Sequence, residues 1–183
     1  IIAAILHDVI EDTDTTVEEL ESLFNADVAA LVNAVTKLTQ IDFKSRKEAQ
    51  AENMRKMFLA MAKDLRVIVI KLSDRLHNMR TIGSMKPESK RRIAKETLDI
   101  YAPVAHRLGM HEFRLELEDL SFKAMFPMRR EVLDKSVKTA RGNRKEVVEK
   151  IQSVIIDTFK KTDFAAVIKG REKNLYSLYN KMK

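Results

Sequence analysis

The chain has 183 residues, of which 45% are hydrophobic, so it can bury a substantial core. It contains no cysteine, which excludes disulfides and thiolate zinc sites and fits a reducing, cytoplasmic compartment. No apolar run reaches the roughly 18 residues that a membrane-spanning helix needs, so no membrane partner is expected. The first residue is Ile, within an apolar segment that lacks a preceding basic region. This start predicts a fragment that begins inside a helix and not a signal peptide.

The net charge of +7 is unevenly distributed along the chain. Residues 1–70 contain 8 Lys and Arg against 12 Asp and Glu, whereas residues 71–183 contain 26 against 15. A basic second half favours polyanionic partners such as nucleotides or nucleic acids. A helical module that binds RNA or the ribosome is therefore one alternative to an enzyme. Aromatic residues, which such modules use for stacking, make up only 6% of the chain.

Apolar residues recur at steps of three or four over most of the chain, which predicts a mainly α-helical protein. The first half is expected to form a buried helix over 1–10, a helix over 18–24 capped by Thr15 or Thr16, a helix that begins near Asp27, and a long helix over 47–81. The last of these contains Val67-Ile68-Val69-Ile70, which alone would fit a strand. The helical steps on both sides, with no turn signal between them, favour helix.

Proline and glycine divide the second half. Pro87 fits the first turn of a helix that is expected to bend at Pro103 and to end at Gly109. A further helix stops before Pro127, and a break over 141–143 precedes another one. Residues 164–169 are the one convincing strand, and a Lys- and Tyr-rich helix follows it. The first 140 or so residues are therefore predicted to be all-α, and an α/β element begins only at the end.

One imidazole and three carboxylates fall within six residues at the end of the first predicted helix and just beyond it. His7 and Asp8 are adjacent, and Glu11 and Asp12 follow them at a spacing of four. Residues four apart share one face of a helix, so the acids would extend the same face by one turn. Such a group suits a hard or borderline divalent cation, for which Mn²⁺ is a good fit. A helix end that turns acidic where it meets solvent is the alternative.

A second polar group lies in residues 71–81. Asp74, Asn78 and Thr81 are at i, i+4 and i+7, so a helix would place them in one narrow stripe. A carboxylate that completes a metal site, beside an amide and a hydroxyl, suits a nucleotide pocket. Nearby basic residues could meet phosphates: Lys71, Arg75 and Arg80. An amphipathic helix with ordinary polar residues would show the same pattern.

Five stretches, in order, together span almost the whole chain: HDVIEDT from His7, KLSDRLHNMRT from Lys71, IYAPVAHRLG from Ile100, ELEDLSF from Glu116 and GREKNLYSLYNKM from Gly170. In these stretches the chain resembles the RelA/SpoT homologue family, and most of all its long, SpoT-type bifunctional members. The resemblance implies most of a helical HD-type phosphohydrolase domain over 1–86, bridging helices over 87–142, and the first strand and helix of an α/β nucleotidyltransferase-like synthetase domain over 143–183.

The activity implied by the resemblance is Mn²⁺-dependent removal of the 3′-pyrophosphate from the bacterial alarmone (p)ppGpp, which yields GDP or GTP and pyrophosphate in the stringent response. The implied roles are metal binding by His7, Asp8 and Asp74, and positioning of the attacking water by Glu11 and Asp12. Synthetase-only relatives have lost the HD and ED residues, and this chain retains both. A catalytically degenerate, regulatory HD domain is the other alternative.

The nucleotide pocket implied by the resemblance is lined by Asn78 and Thr81, with Arg75 nearby. The family's metal shell also includes a His from a helix upstream, and the chain begins too late to contain it. The site is therefore expected to be incomplete in the chain as given. No DNA partner is expected, and regulatory protein partners are left open.

The last stretch resembles the start of the family's synthetase domain, where basic residues and a serine meet ATP phosphates. The matching positions are Arg171, Lys173, Ser177 and Lys181. The last three would lie on one face of a helix, and a solvated basic face is the alternative reading. Mg²⁺ would be needed only by a complete synthetase domain, whose acidic residues would lie beyond the end of this chain.

Overall fold

The computed structural model describes residues 1–39, 55, 59, 62–141, 144–161, 167–168 and 173–183. Within those ranges every regular element is helical, so the mainly α fold predicted from the sequence is confirmed. The chain divides into two compact units, Ile1–Met125 and Phe126–Lys183. No helix in the described ranges combines the length and the apolar character needed to cross a membrane.

The helices of the first unit are α1 (Ile2–Ile5), α2 (Val9–Asp12), α3 (Val17–Leu23), α4 (Ala26–Thr39), α5 (Leu65–Thr81), α6 (Pro87–Glu96), α7 (Ala102–Arg107) and α8 (His111–Met125). A 3₁₀ turn over Ile82–Ser84 follows α5, and a π-helical turn over Thr97–Tyr101 joins α6 to α7. The second unit contains α9 (Pro127–Arg141), α10 (Arg144–Lys160) and α11 (Leu175–Lys181).

The opening segment differs from its prediction. A single buried helix over 1–10 is wrong, because α1 ends at Ile5 and α2 begins only at Val9. The His7 ring contributes to the break: its Nδ1 lies 2.9 Å from the Ala4 carbonyl oxygen, which in a continuous helix would accept the N–H four residues later. In α1 only Ala3 is buried.

Helix α3 begins where the sequence predicts. The Thr16 hydroxyl accepts a hydrogen bond from the Glu19 N–H at 3.2 Å, and the Glu19 carboxylate accepts one from the Thr16 N–H at 3.0 Å. This reciprocal pair is a capping box, which satisfies two main-chain donors that the first turn would leave unpaired. The Thr cap is therefore confirmed, at Thr16.

Loss of this cap has a measurable expected cost. Thr16→Ala should lower the free energy of unfolding by about 1 kcal/mol, because the Glu19 N–H loses its acceptor. Urea denaturation measures the change. The control is Ser22→Ala in the same helix, whose exposed hydroxyl donates to the Glu19 carbonyl and whose loss should cost less than about 0.5 kcal/mol. Equal effects of the two substitutions would contradict the role of the cap.

Helix α5 is the central element of the first unit. It begins after Asp64, whose carboxylate accepts from the Arg66 N–H at 2.9 Å, and it includes residues 67–70, so helix rather than strand is confirmed there. Val67 packs in a cluster with α1, α3 and α4, whereas Ile68 and Leu72 pack in a second cluster with α6, α7 and α8. Because α5 joins both clusters, a polar residue on it can meet groups from either side. Most of the predicted helix before Leu65 lies outside the described residues.

A π-helical turn over Thr97–Tyr101 comes just before Pro103, the residue at which the sequence predicts a bend. Proline has no N–H to give to the carbonyl of Asp99, and the Ala102 N–H bonds the Thr97 carbonyl, five residues earlier. Gly109 follows α7 with φ of 71°, a conformation that disfavours other residues, so the predicted glycine stop is confirmed.

The second unit is described only in its helices and a few flanking residues. Phe126 and Tyr179 pack with ring centroids 5.6 Å apart, and Arg129 lies 5.8 Å from the centre of the Tyr179 ring. The predicted strand over 164–169 lies largely outside the described residues, and its two described members, Val167 and Ile168, belong to no regular element.

Candidate metal centre

Three predicted site residues from two parts of the chain meet in the first unit. His7 lies in the turn between α1 and α2, Asp8 precedes the first residue of α2, and Asp74 lies in the middle of α5. The His7 Nε2 is 2.8 Å from Asp8 Oδ2 and 3.4 Å from Asp74 Oδ1. One ligand atom from each residue lies within 4.8 Å of the others, so their predicted convergence is confirmed.

The contact of His7 Nδ1 with the Ala4 carbonyl determines whether Nε2, the other ring nitrogen, can act as a metal ligand. The Ala4 carbonyl can only accept, so Nδ1 carries the proton and a neutral ring presents the Nε2 lone pair. Nε2 is buried and has no hydrogen-bond partner, although carboxylate oxygens lie close to it. A lone pair that faces carboxylates is unfavourable unless a proton or a metal cation lies between them. The cluster therefore fits a divalent metal ion by its donor types and by its unsatisfied nitrogen.

Each of the two carboxylate oxygens of Asp74 contacts a different neighbouring side chain. Asp74 Oδ2 lies 2.9 Å from Lys71 Nζ, and Asp74 Oδ1 accepts from Asn78 Nδ2 at 2.7 Å. The side chains of Lys71 and Asp74 are only 8% and 11% exposed. Asp74 is thus held in one orientation inside the unit, and Oδ1 is the oxygen on the His7 side.

Glu11 and Asp12 lie on α2 and are both exposed. The helical spacing from which they were predicted holds for Asp12, whose N–H donates to the Asp8 carbonyl at 2.9 Å. It does not hold for His7, because the helix begins after that residue. The two acids are accessible to water beside the cluster, and they are not among the described groups that converge on a common point.

Arg75, one of the predicted nucleotide contacts, is engaged within the protein. Its guanidinium donates to the Tyr101 hydroxyl at 2.9 Å and to Glu96 at 3.1 Å, and it lies 4.0 Å from the centre of the Tyr101 ring. Burial opposes its charge, but Tyr101 and Glu96 outweigh burial and raise the pKa of Arg75. Sequence reasoning missed both partners, which lie 21 and 26 residues further along the chain.

The other predicted nucleotide contacts lie on α5. Asn78 follows Asp74 by one turn and is half-buried, while Thr81 is exposed at the last residue of the helix. The Thr81 hydroxyl donates to the His77 carbonyl at 3.1 Å. The predicted stripe therefore runs from the largely buried carboxylate of Asp74 to the surface at Thr81.

In the second unit, the predicted ATP contacts are only partly on one helix. Asn174 caps α11 by accepting from the Ser177 N–H at 2.7 Å, so Lys173 precedes the helix and its predicted place on the helical face is wrong. Ser177 and Lys181 do lie four apart on α11. Arg171 lies outside the described residues.

The cluster lies within a stretch that matches a known family. The family model described as an HD domain matches residues 1–111 of the chain. The chain belongs to the HD-domain family. An HD domain implies a divalent metal, and His7, Asp8 and Asp74 are the acidic and histidine residues that converge in the described part of the chain.

Curated relatives are similar over nearly the whole chain. A guanosine-3′,5′-bis(diphosphate) 3′-pyrophosphohydrolase of Vibrio cholerae is 58% identical over 181 residues, which are 99% of this chain and 26% of the relative. The bifunctional (p)ppGpp synthase/hydrolase SpoT of Escherichia coli K12 is 54% identical over 182 residues, which are 100% of this chain and 26% of the relative. A GTP pyrophosphokinase rsh of Brucella ovis is 44% identical over 180 residues, 98% of this chain and 24% of the relative.

These relatives confirm the resemblance to the RelA/SpoT homologues. The chain spans about a quarter of the length of the curated relatives that it matches.

Proposed function

We propose that the protein hydrolyses the 3′-pyrophosphate of (p)ppGpp to GDP or GTP and pyrophosphate, with Mn²⁺ held by His7, Asp8 and Asp74. The observation that carries this proposal is the unsatisfied His7 Nε2, which faces two carboxylates. The chain is also alike over nearly its full length to proteins named 3′-pyrophosphohydrolases, and this likeness supports the choice of substrate.

When bound, Mn²⁺ would supply positive charge that polarises a phosphate oxygen and acidifies a water molecule. The protein side chains would do the rest. His7 is oriented for this task by the Ala4 carbonyl, and Asp74 by Lys71 and Asn78. Such supporting contacts keep ligand atoms in place before the ion and the substrate arrive.

Glu11 and Asp12 would position the attacking water and take a proton from it. The water oxygen forms a bond to the phosphorus atom next to the ribose 3′-oxygen, and the bond between that phosphorus and the 3′-oxygen breaks. The 3′-oxygen then takes up a proton to become a hydroxyl, and the diphosphate leaves. Both acids are exposed on α2, beside Asp8, so water and substrate could reach them.

The nucleotide would be bound along the outer stripe of α5. Asn78 and Thr81 offer an amide and a hydroxyl between the cluster and the surface. Arg75 would contribute positive charge near the pocket and hold α5 against the π-helical turn through Tyr101. These assignments agree with a guanine nucleotide that carries its diphosphate toward the metal.

The second unit would contribute the start of a synthetase domain. Ser177 and Lys181 on α11, with Lys173 just before it and Arg171, would contact ATP phosphates, and Mg²⁺ would serve a complete domain. Helices within 87–142 would bridge the hydrolase part to the synthetase part. The predicted domain boundaries at residues 86 and 142 belong to this proposal.

The proposed reaction is tested by product analysis on the natural-length protein. With ppGpp and Mn²⁺, we expect GDP and pyrophosphate in equal amounts, and in ¹⁸O-water we expect the label in pyrophosphate, because the bond to the 3′-oxygen breaks on the phosphorus side. EDTA should stop the reaction, and added Mn²⁺ should restore it. Label in the ribose hydroxyl, or release of single phosphates, would contradict the proposal. A protein with no turnover under Mn²⁺ would favour the regulatory alternative.

A further inference from the structure

We propose that Lys71 is a positioning residue that restricts Asp74 to binding the metal through one oxygen; this rests on the proposed function of the His7, Asp8 and Asp74 cluster. The two carboxylate oxygens of Asp74 have different partners. Lys71 Nζ lies 2.9 Å from Oδ2, while Oδ1 lies 3.4 Å from His7 Nε2. The ammonium therefore lies beside Oδ2, whereas Oδ1 is the oxygen close to the histidine.

Burial sets this ion pair apart from the surface pairs of the same protein. The side chains of Lys71 and Asp74 are 8% and 11% exposed, whereas those of Lys95 and Asp99, also on one helical stretch, are 59% and 35% exposed. Removing an ammonium from water costs several kcal/mol unless its partner is well placed. A lysine that precedes its acid is also the weaker order for stabilising a helix. Neither helix stability nor solvation explains why a cation is buried here.

The placement of Lys71 has a direct consequence for metal binding. A carboxylate can bind an ion through one oxygen or through both. The ammonium at Oδ2 competes with the second bond, and the Asn78 amide takes only one of the two lone pairs of Oδ1. One acceptor position therefore remains on each oxygen, but the one on Oδ2 lies beside the positive charge of Lys71, whereas the one on Oδ1 belongs to the oxygen close to His7. A bound ion would thereby keep an additional position for water or a phosphate oxygen, which hydrolysis requires.

Two substitutions at position 71 separate the charge of the lysine from the N–H donors that it places near Asp74 Oδ2. Lys71→Met removes both, whereas Lys71→Gln removes the charge and keeps a donor for Oδ2. Mn²⁺ alone is the probe, on the natural-length protein without nucleotide. Its affinity is measured by EPR titration, and the number of water molecules on the bound ion is measured by water-proton relaxation. Lys95→Met, which removes a lysine from the exposed pair with Asp99, is the matched control.

We expect Lys71→Met to bind Mn²⁺ at least about tenfold more tightly, because a nearby positive charge is lost. It should also retain one water molecule fewer than the wild type, since Oδ2 becomes free to bind. Lys71→Gln should bind more tightly with an unchanged water count, and Lys95→Met should match the wild type in both. If circular dichroism shows that Lys71→Met does not fold, the affinity of Lys71→Gln decides the question.

Weaker Mn²⁺ binding in the Lys71 variants, by the roughly 10- to 100-fold typical of a lost support for a ligand, would overturn the inference. It would mean that Lys71 only props Asp74 in place. A wild-type protein whose Mn²⁺ affinity does not depend on His7 would instead overturn the proposed metal centre itself. The two failures are distinguished by comparing wild type with His7→Ala before the Lys71 variants are measured.

Discussion

Glu11→Gln and Asp12→Asn should each lower the turnover of ppGpp by about 10²- to 10⁴-fold while Mn²⁺ binding is largely retained. The amides keep the shape of the side chains but cannot accept a proton from water. Both acids are exposed on α2 and stand outside the converging cluster, so their loss should spare the metal. Pyrophosphate release under saturating Mn²⁺, with an EPR titration of each variant, measures the two effects separately.

Asp14→Asn is the matched control, because Asp14 is an exposed acid two residues beyond Asp12 and belongs to neither α2 nor the cluster. Its turnover should equal that of the wild type. Near-normal turnover in both test variants would show that Glu11 and Asp12 are only the solvated end of a helix. Activity that extra Mn²⁺ fully restores would make them metal ligands and would contradict their assignment to the water.

Asp74→Asn should abolish pyrophosphate release and, in metal-free buffer, lower the free energy of unfolding by roughly 3 kcal/mol. The two effects have separate causes. The substitution removes a metal ligand, and it also leaves the ammonium of Lys71 buried without its counter-charge. Urea denaturation in EDTA measures the second effect without any contribution from a bound ion.

Glu131→Gln provides the comparison, since it removes the acid of an exposed i,i+4 pair in which the side chains of Glu131 and Lys135 are 66% and 73% exposed. Its cost should stay below about 0.5 kcal/mol, because solvent screens exposed pairs. If Asp74→Asn lowered the free energy of unfolding no more than Glu131→Gln, the Lys71–Asp74 pair would not contribute significantly to the stability of the fold. Retained pyrophosphate release in Asp74→Asn would exclude this residue as a required ligand.

Much of the fold could be predicted because its signals are local. The Thr16 cap and the Gly109 stop each depend on a few neighbouring residues, and so does the helical period that predicts helix through residues 67–70. The prediction of a continuous opening helix is wrong because hydrophobic periodicity does not detect side chains that hydrogen-bond to main-chain carbonyls. Here the His7 ring donates to the Ala4 carbonyl, which is then not bonded to the next turn of a helix.

The sequence predicts which residues form the site, but it predicts fewer of the contacts between them. His7, Asp8 and Asp74 were identified by motif, and their convergence follows from the packing of α1 against α5. The partners of Arg75 were not identified, because Glu96 and Tyr101 reach it only through the tertiary contact of α5 with the segment after α6. One oxygen of Asp74 lies close to Lys71 and the other close to His7. This arrangement depends on the orientation of the packed side chains, which cannot be derived from the spacing of residues along the chain.

The proposed metal centre depends most on whether His7 binds the metal through Nε2. Pulsed EPR on Mn²⁺ bound to the natural-length protein measures this directly, because a coordinated imidazole nitrogen couples to the electron spin. We predict a nitrogen coupling that His7→Ala diminishes, together with a loss of Mn²⁺ affinity, and that a control substitution at His111 on α8 leaves intact. An unchanged coupling and affinity in His7→Ala would contradict the proposed metal centre.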